Sequence, residues 1–260
     1  MKQTVLITGA TGGIGYELAE VFAENNNNLV LIARNQTRLL EIKQLFEKKY
    51  KIKVFILGKD LSEKDAAVEI YQTIKQQKIT VNVLVNNAGF GDFGEFHKTD
   101  WQKQYEMVQV NIIALMQLTR LFVPEMISLN HGKIMNVAST AAFPPGPWMS
   151  VYYASKAFVL SFSESIAQEL KHTEVAVTVL CPGPTETGFV EKADLNDSKL
   201  FKSNNIADAK SVAVYGYKKL NKKVIIAIPG LGNKITAWGQ RFVPRSLVRK
   251  IMYKKQAPIR

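Results

Sequence analysis

The chain has 260 residues, 47% hydrophobic and 22% charged, a globular composition that excludes a disordered or fibrous chain. The lone Cys181 excludes a disulfide framework or a cysteine-rich zinc module, and His97, His131 and His172 are too scattered to suggest a metal site. The net charge of +12 is lopsided: residues 209–260 carry 13 Lys/Arg and no Asp or Glu, whereas residues 1–208 carry 21 Lys/Arg against 22 Asp/Glu, which argues against a general nucleic-acid surface.

The N-terminal stretch lacks the apolar core of a secretory signal, so a cytoplasmic chain is expected. No uninterrupted apolar run has the length of a membrane span. The best candidate, Met107–Ile127, is broken by Gln109, Asn111, Gln117, Arg120 and Glu125.

Along the chain, short apolar, β-branched runs alternate with longer helical patterns. A strand is expected over Thr4–Thr8. It runs into Thr8-Gly9-Ala10-Thr11-Gly12-Gly13-Ile14-Gly15, which opens a helix over Ile14–Glu24. Glycines at such a turn let the backbone approach a pyrophosphate lying on the helix N-terminus, although a glycine-rich turn without a ligand reads the same in isolation. A second strand, Leu29–Ala33, ends at Arg34-Asn35, with Arg38 one turn later in a helix over Gln36–Tyr50. An acid at this exit would hold ribose hydroxyls and repel a 2′-phosphate. Arginine can grip that phosphate, so the residues favour NADP(H) over NAD(H). A third strand, Val54–Leu57, precedes Asp60-Leu61, which could meet an adenine ring; Asp60 could equally cap the helix that follows. That helix is expected over Ser62–Lys78, opened by Ser62 with Asp65 three residues on.

A fourth strand, Val83–Asn86, ends in Asn86-Asn87-Ala88-Gly89, which can brace a sheet and let a cofactor pass. After a helix over Trp101–Ile127 comes a strand over Lys133–Ser139, then a helix over Tyr152–Lys171. Strands over Val175–Cys181 and Val224–Ile228 complete the series. Apolar strands alternating with helices predict one α/β domain over 1–260, a doubly wound parallel sheet of about seven strands with helices on both faces. Its ligand should lie outside the carboxyl ends of the strands.

The pattern with most chemical content is Tyr152-Tyr153-Ala154-Ser155-Lys156, with Ser139 thirteen residues before Tyr152. Tyr152 and Lys156, four apart, share a helical face, and a nearby ammonium together with a cationic nicotinamide ring would favour the phenolate. Tyr153 is only three residues from Lys156, so helix geometry alone leaves either tyrosine as the proton donor.

Taken together, Thr8-Gly-x3-Gly-x-Gly15, Asn86-Asn-Ala-Gly89, Asn111, Ser139, Tyr152-x3-Lys156 and Pro182-Gly183-x3-Thr187 resemble the short-chain dehydrogenase/reductase family over residues 2 to 230. The resemblance implies a Rossmann-type sheet binding NAD(P), with Tyr152 selected as proton donor and Ser139 holding the carbonyl oxygen. It also implies that Lys156 binds the nicotinamide ribose and lowers the phenol pKa, while Asn111 holds a water that relays protons to Lys156. Pro182, Gly183, Thr185 and Thr187 would line the nicotinamide. A homodimer or homotetramer, paired through the Trp101 and Tyr152 helices, is expected by the same resemblance.

The loops around the expected nicotinamide site are apolar: Phe90, Phe93 and Phe96, then Phe143, Trp148 and Met149, then Phe189. Such walls suit a lipophilic carbonyl or alcohol, unless they pack the loops or a subunit interface. Residues 185–205 read as a polar lid. In the tail, 231–260, Leu231, Ile235, Trp238 and Phe242 recur at helical spacing, and Pro244 can begin a second helix. There Leu247, Val248, Ile251 and Met252 share one arc, opposed by Arg245, Arg249, Lys250 and Lys254. This basic amphipathic extension can lie on an anionic membrane at its inner face, or fold back over the pocket or a neighbouring subunit. The favoured activity is NADPH-dependent carbonyl reduction. The alternatives are a 3-oxoacyl-thioester reductase whose basic tail attracts an acidic carrier, and a catalytically silent NADP-binding regulator.

Overall fold

The apolar runs pair into a seven-stranded, all-parallel sheet in the computed structural model, which describes residues 2–187 and 206–257. The strands are β1 (Thr4–Thr8), β2 (Asn28–Ala33), β3 (Val54–Gly58), β4 (Val83–Asn86), β5 (Gly132–Val137), β6 (Val175–Leu180) and β7 (Ile226–Ala227). Their order is β3-β2-β1-β4-β5-β6-β7. The helices are α1 (Gly13–Glu24), α2 (Gln36–Tyr50), α3 (Ala66–Gln76), α4 (Trp101–Val108), α5 (Leu115–Ser128), α6 (Ser150–Glu169), α7 (Ala209–Asn221), α8 (Leu231–Gly239) and α9 (Arg245–Gln256). The fold is the doubly wound α/β architecture expected of the sequence.

Because successive strand side chains point to opposite faces, each strand feeds two cores. Val5, Ile7, Leu29 and Leu31 join Leu18, Phe22, Leu39 and Phe46 of α1 and α2 on one side. Leu6, Val30 and Ile32 join Ile70, Ile74, Leu118, Phe122 and Met126 of α3 and α5 on the other. This double burial is why the strands read as continuous apolar runs.

Three local departures have physical causes. Helix α3 begins at Ala66 rather than Ser62; the Ser62 backbone N–H and hydroxyl both donate to Asp60 Oδ1, at 2.9 and 2.8 Å, which closes a turn ahead of the helix. The Trp101–Ile127 pattern forms α4 and α5 joined without a break by a π-helical turn, Gln109–Ala114. That stretch is long and apolar enough to cross a bilayer, yet its Leu118, Phe122 and Met126 are fully packed in the core. The last strand shrinks to two residues, paired only with Val179 and Leu180 at the sheet edge.

The strand order reverses direction between β1 and β4, so the loops leaving their carboxyl ends diverge and open a crevice.

Candidate active site

The crevice is a cleft of about 560 Å³, within the range of small-molecule sites. At its β1 end, Gly9 adopts φ +67°, a conformation few side chains tolerate, and its N–H donates to Ile32 O at 2.8 Å. A Cβ on Gly15 would meet Gly9 O at 2.3 Å, so only glycine lets α1 start this close to the strand exit. Asn87 Nδ2 donates to Thr8 O at 2.9 Å and Gly9 O at 3.3 Å, and Thr8 Oγ1 accepts from the N–H groups of Asn87 and Ala88. The two loops at the switch point are thereby stitched together. Gly12 offers no side-chain cap to α1, which leaves a helix N-terminus bordering the cleft.

At the β2 exit, Arg34 lies with Nη1 3.7 Å from Asp60 Oδ2 and its side chain 71% exposed. Burial alone would raise the Asp60 pKa, but the Ser62 hydrogen bonds and the Arg34 charge hold it below the usual range. Asn35 caps α2, accepting from Arg38 N at 2.9 Å, and Arg38 is engaged with Glu41 at 2.7 Å and over the Tyr16 ring. Of the three residues expected around a 2′-phosphate, Arg34 is the one whose cation is only loosely paired.

The other end of the cleft is built on β4, β5 and α6. Asn86 Nδ2 donates to Thr119 Oγ1 and Asn136 Oδ1, and Asn136 Nδ2 donates to Ser163 Oγ at 2.9 Å, a buried polar ladder that ties α5, β4, β5 and α6. Asn111, in the π turn, clasps the Phe90 backbone from both sides and donates to Ser155 Oγ at 3.0 Å. Ser139 follows β5, and its Oγ accepts from Ala141 N at 3.1 Å. Tyr152 and Lys156 are both buried, with Lys156 Nζ donating to Val137 O at 2.9 Å and lying 5.8 Å from the Tyr152 ring centre.

Burial pulls the Lys156 pKa down to about 8 and pushes Tyr152 up to about 12, the latter eased by a hydrogen bond with Ser139.

Gly9, Thr11, Gly12, Gly13, Ile14, Gly15, Arg34, Asn35, Arg38, Asp60, Leu61, Asn87, Ala88, Gly89, Ser139, Tyr152, Lys156, Pro182, Gly183, Thr185 and Thr187 all border this one cleft, as do Phe90 and Met149. Asn111 sits just behind it. Three of the expected substrate residues are elsewhere. Phe93 packs behind the wall, against the cluster of Met107, Met149 and Tyr153. Phe143 packs among Leu115, Val159, Cys181 and Ile228. Trp148 stacks on Tyr253 of α9, ring centres 4.5 Å apart. Phe189 and most of the expected lid lie outside the described residues. Sequence reasoning missed Thr140, Ala141 and Val110, apolar or small residues with no motif to mark them, and Lys59 beside Asp60. It also left open that α9 reaches this end: Met252 packs against the Tyr152–Tyr153 cluster, and Gln256 Nε2 donates to the Tyr153 hydroxyl.

The sequence profile of the short chain dehydrogenase family matches residues 3–198. A probable NADP-dependent dehydrogenase from Haemophilus influenzae is 33% identical over 181 residues, 69% of this chain and 70% of that one. The very-long-chain 3-oxoacyl-CoA reductase-B of Danio rerio is 34% identical over 183 residues, 68% of this chain and 58% of that longer one. A short-chain dehydrogenase from Sphingobium yanoikuyae, solved in complex with NADPH, superposes with a TM-score of 0.84 at 26% identity, covering 98% of both chains.

Proposed function

The chain belongs to the short-chain dehydrogenase family of oxidoreductases, and from that premise we propose that it is an NADP(H)-dependent reductase of lipophilic carbonyl compounds, with Ser139, Tyr152, Lys156 and Asn111 as its reacting centre. The observation that carries this reading is the single cleft with Arg34 and the glycine turn at one end and buried Tyr152 and Lys156 at the other.

The cleft fits the cofactor. The uncapped start of α1 at Gly12, where an added Cβ would meet nothing within 4 Å, leaves room for a pyrophosphate against α1, and Arg34 stands where a 2′-phosphate would be gripped in place of its loose partner Asp60. Pro182, Gly183, Thr185 and Thr187 would flank the nicotinamide, which, when bound, exchanges a hydride with the substrate carbon. Tyr152, at about 12, is a neutral phenol throughout the physiological range and so can donate its proton to the carbonyl oxygen as that oxygen gains charge. Ser139, hydrogen-bonded to Tyr152, is placed to donate to the same oxygen. Lys156 supplies a buried positive charge, and a ribose hydroxyl could replace Val137 O as a partner for its Nζ. A Cβ on Gly89 would lie 2.9 Å from Asn111 Oδ1 and 3.2 Å from Lys156 Nζ, so the bare glycine lets both groups come up against this loop, and in this reading a water held by Asn111 returns the proton to Lys156.

Phe90, Val110, Ala141 and Met149 around Tyr152 give that end of the cleft walls that are mostly apolar, with Glu106 as its one carboxylate, and this supports a lipophilic substrate. The likeness to a 3-oxoacyl-CoA reductase supports a second reading, a long-chain 3-oxoacyl thioester as that substrate. NADPH oxidation screened against ketones of graded size and 3-oxoacyl thioesters tests both. Turnover should rise with apolar size, and turnover confined to small polar carbonyls, or none with any, overturns the reading.

A further inference from the structure

Helix α9 has two functional faces. Val248, Met252 and Gln256, spaced by four, turn inward: Val248 and Gln256 are buried, and Met252 packs on the Tyr152–Tyr153 cluster. Leu247 and Ile251, on the flank, stay exposed. So do Ile235, Trp238 and, at the joint between the helices, Phe242, which is 89% exposed; Leu231 at the start of α8 is 74% exposed. An exposed Phe, a partly exposed Trp and four exposed aliphatic side chains concentrated in 21 residues are far more than scattered surface apolarity explains.

Their setting is wholly cationic. Lys234, Arg241, Arg245, Arg249, Lys250, Lys254 and Lys255 are all exposed, and no acid occurs anywhere in residues 209–260. The Arg241 guanidinium lies over the Trp238 ring, its central carbon 4.4 Å from the ring centre, so a cation is stacked on the indole face. A second copy of this chain would bring the same positive surface against itself. An acidic protein would answer the charge but has no need of Phe242 and Leu231 standing free. A surface that is both anionic and apolar within a few ångströms of depth matches both features.

We propose that α8 and α9 dock this protein peripherally on an anionic lipid bilayer, with Leu231, Ile235, Phe242, Leu247 and Ile251 entering the interface and the basic residues meeting the headgroups. The docking itself is independent of the catalytic reading. If that reading holds, the inward stripe of α9 sets the apolar end of the cleft beside the membrane that stores its substrates.

Flotation of the full-length protein with phosphatidylcholine vesicles, with and without phosphatidylglycerol, at low and high salt, tests this. Recruitment should require phosphatidylglycerol and weaken with salt. The double change Ile235→Ser with Phe242→Ser, and separately Arg249→Glu with Lys250→Glu, should each weaken partitioning at least about ten-fold, with melting temperature and NADPH binding unchanged. Recruitment independent of phosphatidylglycerol, or none at low salt, overturns the proposal. So does a loss of self-association, measured by light scattering, in the Ile235→Ser, Phe242→Ser variant of a protein that never floats, which would assign the face to a second copy.

Discussion

The amide of Gln256, near the end of the described chain, donates to the hydroxyl of Tyr153, 103 residues earlier, while the adjacent Tyr152 pairs with Ser139. One residue of helix turns the two side chains about 100° apart, and their rings meet edge to face at 6.0 Å. Helix spacing left these tyrosines equivalent with respect to Lys156. Their partners separate them, one committed to the tail helix and one to the serine at the end of the sheet.

Tyr152→Phe should therefore lower kcat for carbonyl reduction by about 10²–10⁴-fold while NADPH binding, followed by fluorescence titration, stays measurable. Tyr153→Phe should keep most of the activity. A dead Tyr153 variant beside an active Tyr152 variant would reverse the assignment.

Arg34→Ala should raise KM for NADPH by about one to two decades, the weight of a charged hydrogen bond, and leave KM for NADH nearly unchanged. Steady-state kinetics with both cofactors decides it: an equal loss with each would mean that Arg34 acts by holding Asp60 rather than by reading a 2′-phosphate.

The buried Lys156 sets a pH limit. With its pKa near 8, the ammonium is lost as pH rises through that value, whereas Tyr152, near 12, stays protonated. The profile of kcat/KM for reduction should be level below about pH 8 and fall above it, and a profile level to about pH 10 would remove Lys156 from the reaction. Stability moves the other way. Between about 8 and the ordinary lysine value of 10.5 the unfolded chain holds a proton that the folded chain has released, so this group adds stability as pH rises across that window. Lys156→Met should flatten that part of the denaturation curve.

Asn86→Ala removes the donor shared by Thr119 Oγ1 and Asn136 Oδ1 in the buried ladder, leaving Asn136 Oδ1 without that bond. A loss of about 1–3 kcal/mol is expected, read as a melting temperature lower by about 2–12 °C. An unchanged melting temperature would show that the ladder orders the site without stabilising the fold.

The alternation of apolar runs and helices, the glycine turn, Arg34 and the Ser139–Tyr152–Lys156 spacing are local in the chain, and each was legible because local chemistry dictates it: doubly covered strands must be apolar throughout, and a turn against a helix N-terminus at this distance admits only glycine. The sequence alone therefore determined the architecture, the order of its strands in the chain and the residues that gather at the cleft. It could not determine what depends on who packs against whom. Ser62 reads as a helix cap until the chain folds it into a turn with Asp60 and starts the helix four residues later. Phe143 and Trp148 read as substrate contacts until the cluster of Leu115, Val159, Cys181 and Ile228 and the ring of Tyr253 claim them. Only the folded chain brings α9 back onto Tyr153, and only there does one arc of apolar residues divide into an inward stripe and an uncovered flank. Amphipathic spacing states that a face must be buried, but the surface that buries it is supplied by tertiary contacts between residues far apart in the chain.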